Sequence, residues 1–200
     1  GTIQPVLRVE VGSFVSGPIL KLNADFNKEV IKDEILAEID PRLYEAAVAR
    51  EKASLKTRVA EVKRVDALLV QARNEEERAL QLREKHSDFI SDTEFDQIVA
   101  NRKSLEAQLE VAGAAVEQAQ ASLNNAEFNL EYTKIRSPVD GLVIDRKIDE
   151  GQTLAAQFQT PQLFVVAPNM HEKMHVFASV DEADIGLIRE AQERGAVVEF

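Results

Sequence analysis

The residues with the most obvious chemistry are His171-Glu172-Lys173-Met174-His175, which spell His-Glu-x-x-His. On a helix this pattern sets two imidazoles on one face to hold zinc, with the glutamate as general base. The context here is not helical: Pro168-Asn169 stand just ahead, and Met174 to Val180 read as a strand. In an extended chain the two histidines would lie roughly 13 Å apart, too far to share one ion. The pattern therefore predicts neither a metal nor peptidase activity. His86 reads as an exposed polar turn residue. Cysteine is absent, which suits an oxidising compartment without requiring one.

With no catalytic constellation in view, the elements themselves carry the information. Phe95, Ile98, Arg102, Leu105, Leu109, Ala112, Val116, Ala119, Leu123, Ala126 and Leu130 alternate in steps of three and four, and all but Arg102 are apolar or small. Sustained 3-4 spacing makes a narrow seam that calls for a partner helix. A helix from Asp92 to Glu131 would be roughly 60 Å long at 1.5 Å per residue. Its partner runs from Arg42 to Lys85, free of proline and glycine, over roughly 65 Å. That seam is Val48, Leu55, Val59, Val62, Val65, Leu69, Ala72 and Ala79, and its two consecutive steps of three around Val62 predict a local stammer. Asp40 caps this first helix and Pro41 occupies its first position. The chain turns at His86-Ser87-Asp88-Phe89-Ile90, and Ser91-Asp92-Thr93-Glu94 is a capping box, with Ile90 and Phe95 placed as a hydrophobic staple.

Two blocks of short strands flank this hairpin. In the first, from Val6 to Ile39, Leu7, Val9 and Val11 alternate with charged residues, and Ile35–Ile39 closes the block. The second runs from Thr133 to Pro168. Laid over each other without gaps, Gly17 falls on Gly141, Ile19 on Val143, Asp25 on Asp149, Asn27 on Gly151 and Val30 on Leu154. Asn and Gly share a position because both tolerate a left-handed turn conformation. The second copy has four extra residues before its Leu163-Phe164 strand, within 155–161. Each copy is too small to enclose a core, so the two are expected to form one β domain. After Pro168 come a strand from Met174, a helix from Asp181 to about Arg194 released by Gly195, and a second strand at Val197–Phe200. These few elements read as the start of a third domain.

The 200 residues carry a net charge of −11, 44% hydrophobic and 30% charged side chains. That acidity opposes nucleic acid as a partner. No run approaches a membrane span. The chain opens on Gly1-Thr2 with neither methionine nor signal segment, as an excised piece of a longer protein would.

Two β half-motifs split by a long helical hairpin resemble the membrane fusion proteins, the HlyD-like periplasmic adaptors of tripartite efflux pumps and type I secretion. The family pattern Leu-x-x-Thr-x-Ile-x-Ala/Ser-Pro-x-Asp-Gly-x-Val, with a downstream glycine, is matched by Leu130 to Val143 and by Gly151. Val9–Ser13, Val15-Ser16-Gly17 and Leu36–Pro41 match as well, and Val180–Gly186 is similar to the MacA-like subgroup that works with ABC transporters. The resemblance implies an α+β fold. Its parts are a discontinuous lipoyl-like barrel-sandwich domain (6–40 and 133–168), an α-helical hairpin (41–132) and an incomplete β-barrel domain (169–200).

It also implies a non-catalytic, cofactor-free adaptor. The full-length protein would sit in the periplasm, anchored to the inner membrane, and would link an ABC-type transporter to a TolC-like outer-membrane channel, self-associating as a hexamer. The rival is a carrier or binding domain with a coiled-coil insertion that acts without a channel. Against it, the carrier lysine's tight hairpin is here replaced by the rod, and Lys28 and Lys32 read as solvated residues. Two sites are carried over from the family. The channel-docking tip has Arg, Leu four residues on, then Ser seven beyond; here Arg78 and Leu82 keep the first spacing, while Ser91 follows Leu82 by nine residues. The MacA-like pore-gating glutamine, on the extra loop just before a proline, corresponds to Gln159, with Gln157 second.

Overall fold

The computed structural model of the chain describes residues 2–85, 89–156, 161–168, 170, 174–177, 186, 189–190 and 193–195. It divides into two compact units, Gly1–Glu38 with Ile135–Phe200, and Ile39–Lys134. In chain order the elements are β1 (Thr2–Pro5), β2 (Val9–Gly12), β3 (Gly17–Leu22), β4 (Glu29–Val30), β5 (Ile35–Ile39), α1 (Arg42–Lys85), α2 (Asp92–Glu131), β6 (Lys134–Arg136), β7 (Gly141–Arg146), β8 (Thr153–Leu154), β9 (Gln162–Ala167) and β10 (Met174–Phe177).

The repeat read from the sequence is the organising feature of the β unit. Its two four-stranded sheets run β2-β9-β7-β4 and β6-β5-β3-β8. Exchanging the two copies turns one order into the other, so both four-stranded sheets are built from strands of both halves. The hydrogen bonds repeat with the same exchange. Asn27 N–H donates to Val143 O (2.9 Å) and Val143 N–H to Lys28 O (3.0 Å); Gly151 N–H donates to Ile19 O (3.0 Å) and Ile19 N–H to Gln152 O (2.9 Å). Asn27 and Gly151 both have positive φ, 62° and 81°, as their shared turn position demands. Ile19, Val143, Val30 and Leu154 are all buried. The equivalence extends upstream of Gly17 to two buried serines, Ser13 and Ser137, whose hydroxyls donate to Val15 O (2.7 Å) and Val139 O (2.6 Å).

Two residues of the Pro-x-Asp-Gly motif have clear structural duties. Asp140 Oδ1 accepts from Lys32 N–H at 2.6 Å, so the second copy holds the turn between β4 and β5 of the first. Gly141 passes so close to the end of β9 that a Cβ on it would lie 2.5 Å from Ala167 O and 2.9 Å from the Ala167 carbonyl carbon. β9 is buried from Leu163 through Ala167, as expected of a strand covered on both faces.

In the hairpin unit every seam residue expected of α2 is at least partly buried. Its polar member, Arg102, places Nε 2.5 Å from Glu76 Oε2 and Nη1 2.6 Å from Glu106 Oε2, while Arg73 reaches Glu106 Oε1 at 3.1 Å. The Glu76 approach is an ion pair without hydrogen-bond alignment at Nε. Arg73 first, then Arg102, hold the Glu106 carboxyl below its ordinary pKa. Glu76 fills the gap between Ala72 and Ala79 in the α1 seam, so the charged seam residue of α2 meets a charged seam residue of α1. Ile39 N–H donates to Thr133 O at 2.8 Å where the chain enters and leaves the hairpin. Asp40 Oδ1 accepts from Arg42 N–H at 3.1 Å, the expected N-cap, and Glu45 N–H bonds Pro41 O at 2.8 Å.

Three expectations need correction. Leu7 does not belong to the alternating strand: β2 begins at Val9, opposite Val166, and β9 ends one residue later, leaving Leu7 unpaired and 59% exposed. The strands also start earlier than Val6, because Thr2–Pro5 pairs antiparallel with Met174–Phe177 in a separate two-stranded sheet. Val59 is exposed, so the buried α1 seam steps from Leu55 to Val62 across two ordinary turns, and the run of two three-residue steps is not part of it. The helix expected from Asp181 lies largely outside the described residues. Within it, positions 186, 189–190 and 193 are helical and Gly195 has φ 65°.

Two predictions follow from this geometry. Gly141→Ala should cost about 1–3 kcal/mol, the usual range for overpacking, seen as a lower urea midpoint with an unchanged m-value. The second concerns Asp40, whose carboxyl the Arg42 guanidinium and backbone N–H pull down to about 2. A depressed folded pKa means the cap's contribution is complete above the ordinary value near 3.8 and is lost as pH falls through about 2. An NMR titration should place the Asp40 midpoint near 2, and Asp40→Asn should remove that part of the acid limb while keeping the cap.

Candidate functional site

The end of the hairpin is where side chains suited to recognition stand free of the seam. Ala79 is the last buried residue of α1. Beyond it the seam opens, and Leu80 and Leu82 are exposed, the latter by 48%. Leu82 therefore does not complete the buried seam. Arg78 precedes it by four residues, which puts both on one face of the helix. Arg78 is exposed, and among the described residues no acidic side chain pairs with it. Of the acidic run before it, Glu76 is turned into the seam against Arg102, while Glu75 and Glu77 are exposed.

Across the turn, Ser91 caps α2. Its φ and ψ are −70° and 153°, and Oγ accepts from Glu94 N–H at 3.2 Å. The oxygen is committed to the cap, but the hydroxyl proton remains a possible donor on an exposed residue. Phe89 is 69% exposed beside it. The two helix ends are joined by Arg83, which the sequence reading did not single out. Its guanidinium bonds Asp92 Oδ1 at 2.6 Å and lies 5.0 Å over the ring of Phe95. Arg83 lies at the next seam position after Ala79, which was the available signal. The turn residues 86–88 lie outside the described residues.

The other expected positions are placed as follows. Gln157 and Gln159 lie outside the described residues, as do His171, Glu172 and Lys173. His175 is in β10, opposite Gln4, with its ring edge-on to Phe177 at 6.1 Å. A strand at this point is incompatible with the helix that the zinc-protease pattern needs. Among the described residues, no group of three histidines and acids could hold a metal ion. The amine of Lys28 is engaged with Glu34 Oε1 (2.8 Å) and Asn23 O (2.9 Å), so it is a structural tie rather than a free carrier lysine.

A family profile described as RND MFP, barrel-sandwich hybrid domain, matches residues 7–166, both β halves and the hairpin between them. The chain belongs to the membrane fusion proteins. It is 30% identical over 193 residues to the macrolide export protein MacA of Escherichia coli O157:H7, covering 96% of this chain and 51% of that protein. To the pyoverdine export membrane fusion protein PvdR of Pseudomonas aeruginosa it is 35% identical over 189 residues, covering 94% and 47%. The crystal structure of MacA from Actinobacillus actinomycetemcomitans superposes with a TM-score of 0.81 at 32% identity, over 93% of this chain and 56% of that one. This membrane fusion protein segment thus spans about half the length of the curated relatives it matches. The family is one of periplasmic adaptors, not enzymes.

From the strand at His175 we expect metal analysis of the purified chain to return no stoichiometric zinc, and added zinc to leave its thermal stability unchanged and equal to that of a His171→Ala, His175→Ala variant. Zinc held by both histidines would contradict the strand assignment.

Proposed function

We propose that this chain is the periplasmic segment of an adaptor that links an inner-membrane exporter, of the ABC type, to a TolC-like outer-membrane channel. The observation that carries the reading is a two-helix hairpin inserted into a barrel-sandwich whose end presents Arg78, Leu82 and Phe89 to solvent. A guanidinium beside exposed apolar side chains suits a partner helix end, where carbonyls or carboxylates accept a bidentate contact while the leucine is buried. Similarity to MacA and PvdR supports the same reading, as both are export proteins by name. Their names carry different cargoes, so no cargo is assigned to this chain. Among the described residues no helix is long and apolar enough to cross a membrane. The anchor to the inner membrane is assigned to the rest of the full-length protein, and the working assembly is a hexamer.

Function in this reading is geometric. The hairpin covers distance, the β domains surround a conduit, and no bond is made or broken. Gln159, with Gln157 as the alternative, is assigned to the conduit. A ring of amides can hydrogen-bond across a symmetry axis without burying charge.

The tip assignment is tested by Arg78→Asp and Leu82→Ser in the full-length protein. Both residues are exposed, so the variants should keep the wild-type Tm yet lose most export activity. Wild-type export by folded variants would show that docking does not use these residues. For the conduit, Gln159→Ala should raise passive leakage of a small dye through an assembled pump. Unchanged leakage and export would remove the gate role from Gln159.

A further inference from the structure

At the base of the hairpin the two helices border an open groove of about 670 Å³. That volume falls in the range of small-molecule sites. Ala47 of α1 and the buried Ala126 of α2 are both too small to fill it, and Leu43 and Tyr44 add apolar surface towards the start of α1.

Its rim is polar. Ser122, Asn125 and Asn129 line it from α2, at spacings of three and four that set them on one face. Both asparagines are exposed, and among the described residues neither side chain makes a hydrogen bond within the chain. Ser122 Oγ donates to Gln118 O at 3.1 Å, which leaves the oxygen as an acceptor. Arg50 and Glu51 are the charged residues of the lining, and they pair with each other at 2.8 Å.

This neutrality runs along α2. On the flank that borders the groove every residue from Ser104 to Asn129 is uncharged, whereas Glu106, Glu110, Glu117 and Glu127 all fall on the opposite flank. An ionic ligand would find no unpaired charge there to offset its desolvation. A neutral ligand with hydrogen-bonding groups fits better. A side-chain amide both donates and accepts. Two of them, four residues apart, match a ligand group that also does both, and an acetamido group offers one N–H, one C=O and a methyl. The methyl needs an apolar surface, which the alanines supply, and a neighbouring hydroxyl can donate to Ser122.

We infer that this groove is a binding site for an uncharged N-acetylated sugar, held through its acetamido group by Asn125 and Asn129 over Ala47 and Ala126. The site lies within the hairpin unit, far along the helices from the tip, and does not depend on the adaptor reading.

The test is an NMR titration of the chain with di-N-acetylchitobiose, following the side-chain amide signals. Cellobiose, with hydroxyls in place of the acetamido groups, is the control. The Asn125 and Asn129 signals should shift and saturate with a Kd of about 1 mM. Cellobiose should bind about tenfold more weakly or worse, the loss expected when amides are left unpaired. Both asparagines are exposed, so Asn125→Ala with Asn129→Ala should keep the wild-type Tm and lose saturable binding. The inference is overturned by no saturable shift at about twenty times that Kd, by an equal response to cellobiose, or by unchanged binding to the folded double variant.

Discussion

Everything in the β unit depends on the reciprocal exchange of strands between its two halves. β3 pairs with β8 and β4 with β7, so each half completes the other's sheet. A lone half would leave strand edges unpaired and its apolar faces in water, costs that a segment of some thirty residues cannot offset. Arg146 shows the same economy at the level of side chains. It bonds Asp25 at 3.1 Å and Asp149 at 2.9 Å, the aspartates at equivalent positions of the two copies. The exchange also explains how so long an insertion is tolerated. β5 and β6, the strands that lead into and out of the hairpin, are neighbours in one sheet. Ending the insertion where it began removes most of the loop-closure cost of the long intervening stretch, residues 40–133.

Within the hairpin, apolar burial supplies attraction but little choice of register, because a seam of leucine, alanine and valine can slip by a turn. The Glu76–Arg102 contact supplies that choice. A shifted pairing would leave a charge in the half-buried seam without a partner, and a lone charge there is expensive. Glu106 and Arg73 extend the contact to the surface. This layer and the Arg83–Asp92 pair nearer the turn set which residues stand at the end of the hairpin. The tip residues are thereby positioned by two ionic ties and a serine cap.

What the sequence made legible was whatever periodicity or turn chemistry could express. The α2 seam, the Asp40 and Ser91 caps and the copy-to-copy matching from Gly17 onward are all present, since each rests on spacing that backbone geometry dictates. The buried serines at 13 and 137 were missed because serine is ordinarily exposed, although they obey the same offset. β1 was missed because its partner lies some 170 residues away and its four residues carry no pattern of their own. Glu76 was overlooked because a seam search looks for apolar residues, and Val59 was wrongly included for the same reason. The recognition surfaces are a different case. In the proposed role, exposed residues such as Arg78 and Leu82 would be constrained by a partner and not by this chain, so only family resemblance drew attention to them.

The central claim is that the hairpin end meets an outer-membrane channel. The most direct measurement places a photo-reactive amino acid at Leu82 of the full-length protein, illuminates intact cells and identifies the captured protein by mass spectrometry. The account predicts a TolC-like channel linked through the ends of its periplasmic helices, and loss of that product when the probe is moved to the buried Leu69. Capture of a cytosolic protein, or identical products from both positions, would contradict it.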